Sequence, residues 1–173
     1  LNMTQVAGIG FTMEAWVNPG ADLAPGEGPI DHMHIMSKDS YRMAWNKHNG
    51  TISALILIGG MAPELSSPVH WKTGEWHHVA ATYDGTEAKL YIDSSLKNAK
   101  VAVGNIDDST GDNLCIGVNY NGQWGWIGKI DEVRVLNRVL PASEIADDAK
   151  YSLTRDKGES KPKGEPAQVI SKE

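Results

Sequence analysis

Short apolar runs, cut by turn residues about every ten positions and almost free of helical periodicity, are what most constrain this chain. Phe11 to Val17 (FTMEAWV) alternates two side-chain sets and stops at Asn18-Pro19-Gly20. Ile35 to Lys38 and Tyr41 to Asn46 follow, and Asn49-Gly50 then leads into Thr51 to Ile58. Asn-Gly between apolar runs is the strongest short hairpin signal. His77 to Tyr83 ends at Asp84-Gly85, and Ala88 to Asp93, Leu114 to Asn119 and Ile127 to Leu136 complete the set. Only Pro141 to Lys150 (PASEIADDAK) reads as a helix, short and acidic. Many short strands with a single helix predict an all-β sandwich or barrel.

The remaining stretches say how much of the chain that architecture takes up. With 173 residues the chain suits one domain large enough to bury a core without staples. Ala21 to Met33 carries prolines, glycines and acids without periodicity and reads as a long surface loop. From Arg155 onward, interleaved charges with Gly and Pro leave little to bury, so residues 153–173 are read as a charged linker or disordered tail. The domain is expected over 1–152. A net charge of −6 and a pI near 5.5 argue against nucleic acid, which needs clustered Lys and Arg. The lone Cys115 can form no internal disulfide. No apolar run approaches the ~18 residues of a membrane span.

Three of these segments resemble the laminin-G-like family of concanavalin A-like jelly rolls. They are Phe11 to Val17, then Trp76-His77-His78-Val79-Ala80-Ala81-Thr82-Tyr83-Asp84-Gly85 running into Lys89-Leu90-Tyr91-Ile92-Asp93, then Gly128-Lys129-Ile130-Asp131-Glu132-Val133-Arg134-Val135-Leu136-Asn137-Arg138-Val139-Leu140. The resemblance covers roughly residues 9 to 148. It implies a two-sheet antiparallel β-sandwich with a short C-terminal helix, in a family made up mostly of extracellular modules that bind glycans or proteins. Such modules are often appended to bacterial glycosidases, sialidases and adhesins, so neighbouring domains are expected in the parent protein. The pattern departs from the family in two places. Only about ten residues precede Phe11, so the family's usual first strand is expected to be cut short or to lie elsewhere, and Asp93-Ser94 replaces the Asp-Gly turn, which suggests a wider hairpin.

Against that background, a few residues carry chemistry. Asp131 shares parity with Val133 and Val135, on the side otherwise given to the core, while Glu132 and Arg134 could pair outside. A buried carboxylate needs a partner: backbone amides, Arg138 or a cation. Related jelly rolls often place a structural calcium against this aspartate, so Asp131 is a candidate metal ligand by resemblance. The acidic turn Asp107 to Asn113 fits no EF-hand spacing and reads as solvated. Glu14 has no second acid in its strand, and the Glu-x-Asp-x-x-Glu strand of glucanase relatives is absent, so no catalysis is expected. His32 and His34 could ligate zinc with Asp31 but lack a third ligand, and read instead as solvated loop histidines. His77 and His78 read as structural, one in the core and one on a sheet face.

The most suggestive stretch is Asn119 to Trp126 (NYNGQWGW). Indole faces stack on the C–H face of a sugar, and amides exchange hydrogen bonds with its hydroxyls. Tyr120, Asn121, Gln123, Trp124 and Trp126 are therefore candidate glycan contacts, with Trp126 also readable as a core cap. Tyr41, Arg42 and Trp45, with His48, are expected to add contacts from a neighbouring strand. Trp16, Trp71 and Trp76 are read as core or rim. The expected partner is a glycan or polysaccharide, bound without catalysis; the alternative is a protein, bound by an adhesion module of the same fold.

Overall fold

In the computed structural model, residues 10–23, 32–107 and 113–155 are described, with side chains as far as Lys150. The stretch ahead of Gly10, most of the Asp107–Asn113 turn and the expected charged tail lie outside the described residues, as does Asp31. Ten strands form two five-stranded antiparallel sheets, with one helix.

The first sheet, here sheet A, is built from β1 (Phe11–Pro19), β6 (His77–Tyr83), β7 (Glu87–Ile92), β8 (Ser95–Val101) and β10 (Gly128–Leu136) in the order β10-β1-β6-β7-β8. Sheet B contains β2 (His32–Lys38), β3 (Tyr41–Asn46), β4 (Thr51–Ile56), β5 (Glu64–Pro68) and β9 (Cys115–Ile116) in the order β5-β4-β3-β2-β9. Helix α1 spans Ala142–Arg155. Seven of the eight expected strands begin and end within three residues of those observed. The expected Leu114–Asn119 strand shrinks to two residues, and the end of the expected Ala21–Met33 loop is already β2.

Alternation along the strands explains the core. Phe11, Met13, Ala15 and Val17 of β1 meet Met33, Ile35, Tyr41, Met43, Trp45, Ile52, Ala54 and Ile56 of sheet B between the layers. Phe11 and Tyr41 touch across the sandwich with ring centroids 4.9 Å apart. β1 is buried at all nine positions, its outer side chains included. A second, smaller cluster explains this. Ala80, Tyr91, Leu140 and Ile145, with Leu136, pack where α1 lies over the outer face of sheet A.

That outer face also holds charge. Arg134 of β10 is held between the carboxylates of Glu14 and Asp148, the latter on α1. His78 Nε2 lies 3.4 Å from Glu14 Oε2, and the Glu14 side chain is 1% exposed. The Trp16 indole N–H donates to the Asp148 carbonyl at 3.4 Å. Glu14 is thus a buried structural counter-ion beneath the helix.

Two local expectations change. Asp93-Ser94 does not widen its hairpin: Ile92 pairs with Ser95, leaving a two-residue turn with φ of 49° and 66°. The parity of β10 is broken by a bulge. Between Glu14↔Arg134 and Trp16↔Asp131, β1 advances two residues and β10 three, and Glu132 takes φ 49°. Ile130, Val133 and Val135 therefore face the core, and Asp131 sits opposite Trp16 on the outer side, exposed.

Candidate functional site

The loop Gly117 to Trp126 is laid along the β2 edge of sheet B by its backbone. Gly117 N–H donates to Ile35 O, His34 N–H donates to Trp124 O at 2.9 Å, and Trp126 N–H donates back to Gly117 O. Its tip is self-capped. Asn119 N–H donates to Gln123 O, Gly122 N–H to Asn119 O, and Asn121 N–H to Asn119 Oδ1. These Asx-type bonds, with Gly122 at φ 81°, are why the sequence NYNGQ folds into a tight turn here.

Trp124 stands at the end of that turn with φ 55°, a conformation that costs an L residue roughly 1–2 kcal/mol. The compensating contacts lie beneath it. Its indole stacks on the His34 ring, with centroids 5.9 Å apart and planes 14° from parallel, and lies 6.0 Å from His32. The indole is nonetheless 41% exposed. A strained backbone that holds an aromatic ring open to water is the kind of outlier from which a function is argued.

His32 and His34 are correspondingly not solvated loop histidines. Both sit on β2, two residues apart and on the same outer face. His34 is 3% exposed, and its Nδ1 has no hydrogen-bond partner among the described residues. Burial, then the nearby charges of Arg42 and His32, hold the His34 imidazole at about 4 against an ordinary 6.5. It is therefore a neutral stacking partner near pH 7. His32 Nε2 meets the Asn46 side-chain amide at 3.2 Å. Among the described residues no three His, Cys, Asp or Glu side chains cluster as a metal site would.

The residues singled out in the sequence separate into three places. Trp124, Tyr120, Asn121 and Gln123 come together on the loop, all exposed, with Tyr120 at 52%. Arg42 is half-buried on the outer face of β3, close enough for its charge to act on His34. Tyr41 and Trp45 are withdrawn from the surface: they alternate with Arg42 onto the inner face and are 3% and 4% exposed. Trp126 packs against the main core as a cap. Asp131 lies apart, on sheet A, where its Oδ1 accepts the Glu132 N–H at 2.8 Å within the bulge. Because Asp131 faces outward and is exposed, burial does not demand a counter-ion for it. Arg138 pairs with Glu144 at 2.6 Å, leaving Asp131 aside. His32 and His34, the floor of the site, were readable only through their two-residue spacing.

Residues 1–146 match the family described as the concanavalin A-like lectin/glucanases superfamily. No curated protein matches in sequence. Among solved structures, the chain is similar to a native heptameric SAP-like pentraxin from Limulus polyphemus, with TM-score 0.59 and 17% identity over 81% of this chain and 69% of that one. It is also similar to a protein from Bacteroides ovatus provisionally described as carbohydrate binding, with TM-score 0.62 and 21% identity over 80% and 40%. A third is the receptor binding domain of botulinum neurotoxin C/D mosaic serotype, with TM-score 0.64 and 14% identity over 87% and 38%. The chain thus spans less than half of the last two, and identities this low establish shared fold alone. With the family match running over most of its length and the two-sheet sandwich in place, the chain belongs to the laminin-G-like family of the concanavalin A-like lectin/glucanases superfamily.

Proposed function

We propose that this domain is a non-catalytic, lectin-like carbohydrate-binding module of a larger extracellular protein, and that a sugar ring stacks on Trp124. The observation that carries this is the indole itself, fixed by a left-handed backbone and by stacking on a neutral His34, yet 41% exposed. A ring already ordered loses little entropy on binding. Tyr120, Asn121 and Gln123 surround it with an aromatic rim and with amide donors and acceptors suited to hydroxyls. Family and neighbours of this fold that include lectin-like and receptor-binding proteins support a binding role. The absence of catalysis rests on Glu14, the acid within the family's first segment, being committed to Arg134 and His78 beneath α1.

A glycan array with wild type and Trp124→Ala tests the assignment. Binding to at least one glycan class is expected, reduced tenfold or more by the substitution, since base- or sugar-type stacking on an indole contributes on the order of 1–3 kcal/mol. Equal binding by both proteins refutes the site. One observation favours a second reading, a protein-interaction module. β8 is an edge strand whose Leu96 and Val101, with nearby Val103, are 53%, 80% and 68% exposed, a template for strand addition or apolar docking. Among the described residues no helix is long and apolar enough to cross a membrane.

A further inference from the structure

The two-residue turn from β7 to β8 places Asp93 and Ser94 in the left-handed region, where glycine or asparagine is preferred. Asp93 is compensated: Oδ1 accepts the His78 N–H at 2.9 Å, and Oδ2 meets His77 Nδ1 at 2.9 Å. The Ser94 hydroxyl has no partner among the described residues. The hairpin sets the left-handed φ of Ser94, and its hydroxyl is left open toward what the turn borders.

It borders a cleft of about 340 Å³ on the outer side of sheet A, far from Trp124 in the fold. Trp16 and Trp76 form its aromatic side, Asp93 and Ser94 its polar end, and Ala146 and Ala149 of α1 its opposite wall. The two alanines keep the wall low, and the half-buried Trp76 brings an indole to the cavity. Small-molecule sites run from about 300 Å³ upward, so this one suits a single ring or two and not a long chain. Its charge is acidic at the turn. Asp93 stands beside His77, and Glu75 Oε2 lies 3.7 Å from the other ring nitrogen, while Lys150 at the rim is 3.3 Å from Asp147. A carboxylate accepts from hydroxyls and repels anions, while indole attracts the apolar face of a ring.

We propose that this cleft is a second, independent carbohydrate site that takes a neutral pyranose, its C–H face on Trp76 and its hydroxyls on Asp93 and Ser94. It differs from the Trp124 site in location, in sheet and in charge, and it stands even where the Trp124 assignment fails.

The test is a titration of the full chain, labelled with ¹⁵N at its tryptophan indoles, with methyl β-glucopyranoside, methyl β-galactopyranoside, methyl N-acetyl-β-glucosaminide and glucuronate. Wild type, Trp76→Ala, Trp124→Ala and Ser94→Gly are compared. The Trp76 and Trp16 indole signals are expected to shift with at least one neutral glycoside, in wild type and in Trp124→Ala alike, and not with glucuronate. Ser94→Gly is expected to raise Tm by relaxing the turn, and to weaken binding about fivefold through loss of one hydrogen bond. A folding defect in Trp76→Ala leaves Ser94→Gly as the deciding variant. The proposal is overturned by unmoved indole signals with every neutral glycoside at tens of millimolar, by shifts with glucuronate alone, by shifts that vanish in Trp124→Ala, or by undiminished binding in Ser94→Gly.

Discussion

The two outer faces of the sandwich obey the same alternation and come to opposite ends. On sheet A the outward side chains include Glu14, Trp16, His78, Ala80 and Arg134, and the chain's own helix closes over them, joined by Asp148 and Ile145. On sheet B the outward side chains are His32, His34, Arg42, Ala44, Asn46 and Ser53, and a loop carrying Trp124 lies along one edge. The first face spends its polar groups on one another. The second keeps an aromatic ring in water above a neutral imidazole. Burial on a sheet's outer side can therefore serve cohesion in one layer and display in the other, and the nature of the cover decides which.

The comparison breaks most sharply at Arg134. Arg134→Ala strands the Glu14 carboxylate under α1, and urea unfolding should show a loss of about 3 kcal/mol. Replacing Glu14 and Arg134 together by methionine should recover most of it, because a matched apolar pair needs no counter-ion. A loss under about 1 kcal/mol for the single change would place the face among ordinary surface ion pairs.

On the other face, pH is the probe. The folded-state value of His34, about 4, lies below the unfolded 6.5, so between these pH values the unfolded chain holds a proton that the folded chain refuses. The stabilisation is complete above 6.5 and lost as pH falls toward 4, by something on the order of 3 kcal/mol at the limit. Chemical denaturation at stepped pH, read by tryptophan fluorescence, measures it. A stability profile flat across that window means His34 carries its proton in the folded state.

Trp124→Ala should cost stability about 1 kcal/mol or less, below the tenfold or greater loss expected in glycan binding, since the exposed ring has little packing to lose. A loss above about 3 kcal/mol would make Trp124 a core lid. The smallest expected effect is that of EDTA. With Asp131 exposed and bonded within its own bulge, chelation should leave Tm unmoved, whereas a calcium-linked fold would lose several degrees.

Much of the architecture was legible because β1, β6, β7 and β10 combine period-two alternation with family segments. β5 and β8 escaped because they lack an apolar face: β8 is exposed or half-exposed throughout, and ELSSP reads as loop. The site was half legible. Tyr120 to Trp124 stood out by composition, but Tyr41 and Trp45 were grouped with Arg42, although alternation alone puts them on the opposite side. Asp131 was misplaced for a different reason. Counting parity assumes an unbroken ladder, and nothing in Lys129 to Val133 announces that Glu132 will turn left-handed. The cover over His34 comes from about ninety residues downstream, beyond the reach of any local pattern.

The bulge at Glu132 has a bearing on how these domains coexist at high concentration. β10 is a terminal strand of sheet A, with backbone groups along its outer edge that a second copy could pair with. An extra residue and a left-handed φ in mid-strand put those groups out of step, so an incoming straight strand finds matching partners on only one side of the kink. Together with the exposed Lys129, Asp131 and Glu132 on the same strand, the kink would hinder copies of the domain from adding to one another through this edge.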